Sequence, residues 1–264
     1  MKNIIKTALS FFLLATISVS AQQASRNTVL SYADSLAKRV LEYEGLHTVY
    51  SGLKPISTVK HVEFAIDSVT AEFTAPEKVK EELEFIRKSL ELLENDNIGY
   101  ILLPFKSVYG NTRTYEILVY NRKSVAELIK GKSGFFLKRG ITPSVSPEIL
   151  LTLYEFEDKT DRFRAYGYLF GYPDHAVDFF VEASKTNVEK GEFVERDFYQ
   201  LPVASGEDGR FVYAVPKGHI PNDIDLEIKE KAAENVEEYL ELKERVNIEE
   251  SQYPYLDLLL SFIP

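Results

Sequence analysis

Among the four histidines of this 264-residue sequence, only His175 stands in a patterned set of carboxylates, with Asp174 beside it, Asp178 three residues on and Glu182 seven residues on. If residues 173–187 are helical, Asp174, Asp178 and Glu182 stack on one face and His175 borders that face. An imidazole in such company can act as a general base oriented by an acid, or can share a cation with the carboxylates. His175, Asp174 and Asp178 are therefore the candidate catalytic group, for a hydrolase of unfamiliar type working with or without a metal. Tyr166, Tyr168 and Tyr172, together with Arg162 and Arg164, crowd the residues just before it. An aromatic and cationic lining suits a pocket for a small polar ligand such as a sugar or peptide, and Tyr168, Tyr172 and Arg164 are the candidate binding residues.

The same stretch, YLFGYPDHAVDFF, also reads as plain architecture. Gly171 ends one helix, Pro173 suits the first position of the next, and Asp174 sits where the positive end of the helix dipole favours an acid. The local pattern favours this second reading. A reactive site would need groups from elsewhere in the chain, and His47, His61 and His219 are the remaining imidazoles.

Other motifs fall short. Gly131-Lys132-Ser133 resembles the tail of a phosphate-binding loop, but Ala126 stands where that loop requires glycine, so Gly131 reads as a helix C-terminus. Asp223, Asp225 and Glu227 alternate like the start of a calcium loop, but Ile228 occupies the position of its turn glycine. They read instead as acids at a helix N-terminus. Neither a Gly-x-Ser-x-Gly elbow nor a His-Glu-x-x-His pair occurs, and the sequence names no cofactor.

Composition narrows the setting. Lys2 and Lys6 precede an apolar run from Ala8 to Val19 and the small residues Ser20 and Ala21, the order of a secretory signal peptide. We therefore expect residues 1–21 to be removed and residues 22–264 to form a single exported domain, periplasmic or extracellular, without a membrane span in the mature chain. With no cysteine, disulfides, thiol nucleophiles and thiolate metal sites are excluded, and stability must come from an apolar core. The net charge of −10, with no basic cluster, argues against a nucleic-acid partner.

The elements that must position these residues follow from periodicity. Apolar residues at helical spacing predict helices over 27–43, 74–94, 124–130, 147–157, 161–170, 173–187 and 223–246. Thr74-Ala75-Pro76-Glu77 reads as a capping box with Thr74 as N-cap, and Ser146 reads as the N-cap before Pro147. Residues 99–105 and 115–121 read as one antiparallel hairpin, and 192–204 with 209–218 as another, joined by SGEDG. Residues 59–73 fit a strand and a heptad equally well. The apolar C-terminus YPYLDLLLSFIP should dock on the domain. Locally paired strands set among amphipathic helices make this an α+β chain. Export, acidity, many tyrosines and the lack of a recognisable catalytic signature point to a binding module for a small polar ligand or a protein partner, with the hydrolase as the alternative.

Overall fold

The computed structural model describes residues 26–206, 211–246 and 251–262. The expected signal peptide (1–21) and most of the SGEDG turn lie outside the described residues. The fold is mixed α+β with two small antiparallel sheets.

Helix α1 (26–42) and the short α2 (Leu46–Val49) lead into β1 (Ile56–Ala65). After α3 (Pro76–Glu91), β2 (Ile98–Pro104) and β3 (Thr112–Asn121) form the expected hairpin, and β1 joins β3 to give the antiparallel order β1-β3-β2. Four helices follow: α4 (Arg122–Gly131), α5 (Ser133–Phe136), α6 (Pro147–Phe156) and α7 (Lys159–Leu169). Then come α8 (Asp174–Lys190), the hairpin β4 (Arg196–Leu201) and β5 (Phe211–Pro216), the long α9 (Asp223–Arg245) and α10 (Pro254–Ser261).

Strand β3 is covered on both faces, which explains its unbroken apolar run. Ile117 and Val119 face a core built from α1, α3, α9 and α10, while Leu118 and Tyr120 face a second core from α4, α5, α6 and α7. Side chains alternate across a strand, so neighbours in sequence serve opposite layers. Leu256, Leu258 and Leu259 of α10 are buried in the first core, so the C-terminal segment docks as its composition predicts.

Of the ambiguous stretch 59–73, residues 59–65 belong to strand β1 and 66–73 form a turn closed by a bridge between Ile66 and Phe73; the helical look of the strand part has a specific reason. The pairing register with β3 shifts between Thr58 and Lys60, leaving Val59 as an extra residue. A bulge of this kind inserts one position, and it produces the three-residue spacing from Val59 to Val62 that imitates a helix. One cap differs from expectation: Ala75, not Thr74, is the N-cap of α3, because the Thr74 hydroxyl donates back to the Ala65 carbonyl at 3.3 Å. Ser146 caps α6 as predicted, accepting from the Ile149 N–H.

Two buried polar groups tie the layers together. Lys54 has no exposed surface; its ammonium pairs with Glu44 and lies 4.3 Å from the Phe211 ring centre, 5.2 Å from Phe170 and 5.7 Å from Tyr172. Burial pulls its pKa below the ordinary lysine value, and Glu44 offsets part of that pull. His47 is also fully buried. Its Nε2 must donate to the Pro202 carbonyl at 3.0 Å, because a carbonyl only accepts, so its Nδ1 is free to accept from the Asn235 amide at 3.1 Å. That neutral tautomer is the one the site can hold, and burial lowers the His47 pKa from 6.5 to about 4.

Both groups give stability predictions. Glu44→Gln leaves a buried ammonium unpaired and should cost about 3–5 kcal/mol in urea unfolding, whereas Lys54→Met combined with Glu44→Gln should recover most of the loss. A double variant as unstable as the single one would refute this account. For His47, the unfolded chain takes up its proton near pH 6.5 and the folded chain only near 4. Its contribution is therefore complete above 6.5 and falls away as the pH drops toward 4. Over that window the wild type should lose about 3 kcal/mol more stability than His47→Gln, measured by chemical denaturation at each pH.

Candidate functional site

The α7–α8 turn decides what the residues around His175 face. Phe170 is the C-cap of α7, and Gly171 takes a left-handed φ of 77°. The Tyr172 N–H bonds the Gly167 carbonyl at 3.0 Å and the Gly171 N–H bonds that of Tyr168 at 2.9 Å, which is a Schellman ending. A Cβ on Gly171 would also come within 2.9 Å of the Leu53 carbonyl, so glycine lets this turn lie directly on the segment carrying Lys54. Gly167 plays a matching part between the two helices, since a Cβ there would meet Val177 at 2.9 Å.

Beside this helical pair lies a cavity of about 450 Å³, walled by α7, α8, the β4–β5 hairpin and the loop after β2. Phe105, Phe163, Tyr166, Phe170, Tyr172, Phe180 and Tyr213 supply aromatic walls, with the exposed Tyr109 and Phe198 also lining it. Glu116, Glu155 and Arg162 are its charged residues. Glu155 is buried and accepts from the Lys106 N–H at 2.8 Å and the Tyr166 hydroxyl at 3.3 Å, with Arg162 at 3.5 Å. Glu116, also buried, accepts from the Thr58 hydroxyl at 2.7 Å and lies 3.2 Å from His61 Nε2. Burial and then the charges of Glu155 and Glu116 drive the Tyr166 pKa upward, while the Glu116 hydrogen bond raises that of His61.

The sequence-derived binding residues divide between two sides of α7. Tyr172 lines the cavity, but Tyr168 does not. Tyr168 is buried against Phe135, with ring centres 5.7 Å apart, and Arg164 bonds its hydroxyl at 3.1 Å while pairing with Asp178. Residues two apart on a helix point to nearly opposite sides, so Tyr166 and Arg162 reach the cavity and Tyr168 and Arg164 face away from it.

The carboxylates predicted for His175 also go elsewhere. Asp174 is exposed and pairs with Lys132, Asp178 is exposed and pairs with Arg164, and Glu182 pairs with Lys185 at 2.8 Å. His175 turns the other way, toward His219 and Asp225. Its Nε2 lies 3.1 Å from Asp225 Oδ1, His219 Nε2 lies 2.7 Å from Oδ2, and the two imidazole rings stack 5.4 Å apart at 19°.

Asp225 sits there because of how α9 begins. Asn222 caps the helix, its side chain accepting from the Ile224 and Asp225 N–H groups, and Asp225 returns the favour by accepting the Asn222 N–H at 3.0 Å. Its carboxylate has no exposure and also accepts the Tyr213 hydroxyl. Burial alone would raise its pKa, but the bonds from Tyr213, Asn222 and His219, with His175 nearby, outweigh burial and hold it below the ordinary range. Reading the acids of α9 only as a dipole effect missed this. The visible signal was Asn222 three residues before Asp225, with His219 six residues before it. Tyr213 connects this cluster to the cavity, because it lines one and bonds the other.

A second grouping of potential metal ligands, Glu157, Asp158 and Asp161, surrounds the Arg139 guanidinium and has its counter-charge there. Among the described residues no helix is long and apolar enough to cross a membrane. Comparisons with protein-family models, with curated proteins and with solved structures found no match.

Tyr213→Phe removes one donor from a buried carboxylate while keeping the ring. It should lower stability by about 1–3 kcal/mol in thermal or urea unfolding; an unchanged stability would mean that Asp225 does not depend on that bond.

Proposed function

We propose that this chain is an exported single-domain binding protein whose aromatic cavity receives a small ligand with an apolar body and a hydrogen-bond-donating, preferably cationic, end. The cavity carries this reading. Its walls are mainly aromatic, and its lining holds two buried carboxylates, Glu116 and Glu155, against one arginine, Arg162, which pairs with Glu155. Aromatic faces supply contact area and attract cations, while buried carboxylates are acceptors that reward a donor brought out of water. A volume of about 450 Å³ falls within the range of small-molecule sites. This refines a polar ligand to one polar at one end only.

Export is supported by the basic, apolar and small-residue order of the first 21 residues. N-terminal sequencing of protein recovered from its host should find a chain beginning near Gln22.

Ligand class can be tested with two probes of similar size, 1-naphthylmethylamine, which is cationic at neutral pH, and the neutral 1-methylnaphthalene. Both should bind saturably, the amine about tenfold more tightly, which corresponds to about 1.4 kcal/mol. Ala214→Trp, which places an indole in the cavity, should abolish binding of both, and Glu116→Gln should erase the preference for the amine. No saturable binding, or binding indifferent to Ala214→Trp, would sink the proposal.

A further inference from the structure

We propose that His175, His219 and Asp225 form a binding site for a divalent transition-metal ion of the zinc class. Nothing in the cavity reading requires this site. It stands on three observations about the donor atoms.

The first is convergence from three separate elements. His175 comes from the first turn of α8, His219 from the loop after β5, and Asp225 from the first turn of α9, and one ligand atom from each lies within 4.8 Å of the others. Ligands held 2.0–2.2 Å from a tetrahedral ion lie roughly 3.3–3.6 Å from one another. The observed separations, 3.1 Å from His175 Nε2 to Oδ1 and 2.7 Å from His219 Nε2 to Oδ2, place one imidazole at each oxygen of the carboxylate, and an ion between the rings would widen them toward that spacing.

The second observation separates an ion site from a hydrogen-bonded carboxylate. Asp225 already accepts from the Tyr213 hydroxyl, the Asn222 N–H and His219, so it does not lack donors. His175 is the odd member. Its Nε2 is buried and near Oδ1, yet it makes no hydrogen bond to that oxygen or to any other group. A buried ring nitrogen left in this way gives up its hydrogen bond to water and, beyond its proximity to the carboxylate, gains no hydrogen bond in return. A metal ion at the point of convergence would take the lone pair of each Nε2 and one oxygen of Asp225.

The third is the nature of the donors. Two imidazoles and one carboxylate suit zinc and its neighbours, whereas calcium and magnesium prefer oxygen throughout. Tyr213 and Asn222 would then act as outer partners that orient the carboxylate, a usual accompaniment of metal ligands. Three protein ligands leave a four-coordinate ion one position for water or a small ligand.

The test uses full-length mature protein without an affinity tag, stripped with chelator and titrated calorimetrically with zinc chloride. One equivalent should bind with a Kd of about 1 μM or tighter. His175→Gln and His219→Gln should each weaken binding at least tenfold, while Asp174→Asn, on the outward side of the same helical turn, should leave it unchanged. Failure to bind one equivalent, or less than a tenfold weakening in either glutamine variant, overturns the proposal. Should those variants not fold, pulsed EPR of the copper-loaded wild type decides, with two imidazole nitrogens supporting the site and none refuting it. The naphthyl probes report separately on the cavity, so the two proposals can fail independently.

Discussion

The interaction on which the rest depends is the pairing of Lys54 with Glu44. An ammonium without exposed surface costs several kcal/mol unless a counter-charge and good contacts surround it. Here the counter-charge comes from the junction between α1 and α2, and the contacts come from the faces of Phe170 and Tyr172 in the α7–α8 turn and Phe211 at the start of β5. Glu44 also accepts the Thr58 N–H of β1 at 3.2 Å. Three parts of the chain distant in sequence, residues 44–58, the α7–α8 turn and the start of β5, are thereby held around one charge, and a shift in any of them would expose or unpair it.

Both polar centres inherit their positions from that arrangement. Phe170 and Tyr172 cover the lysine and line the cavity, so the pair sets where the aromatic wall stands. Phe211 starts the strand that carries Tyr213, and Tyr213 reaches Asp225 on the far side of the same hairpin. The cavity and the His175–His219–Asp225 cluster are therefore neighbours with a shared residue.

Much of the architecture was legible from local chemistry. Both hairpins and the helix after Ser146 follow from patterns in which neighbours in sequence are neighbours in space, and the docking of the C-terminal leucines follows from their apolar composition. The exceptions have local causes too. A bulge at Val59 made a strand look partly helical, and Thr74 spent its hydroxyl on Ala65 instead of on its own helix. The site was less legible, because Arg162 and Arg164, or Tyr166 and Tyr168, are equivalent in composition and differ only in which side of α7 meets another element.

By itself, then, the sequence determined the long helices and both hairpins, that the chain carries an excess of negative charge, and that no thiol takes part in anything it does. It also singled out His175, but for company that His175 does not keep. Asp174 and Asp178 turn outward to Lys132 and Arg164 because those cations wait at the α4–α5 junction and on α7. Only the tertiary structure could bring His175 to Asp225, fifty residues away, because that meeting depends on how α8, β5 and α9 pack. Periodicity says which face of a helix is apolar; it does not say what stands across from the remaining faces, and at this site that is what decides the chemistry.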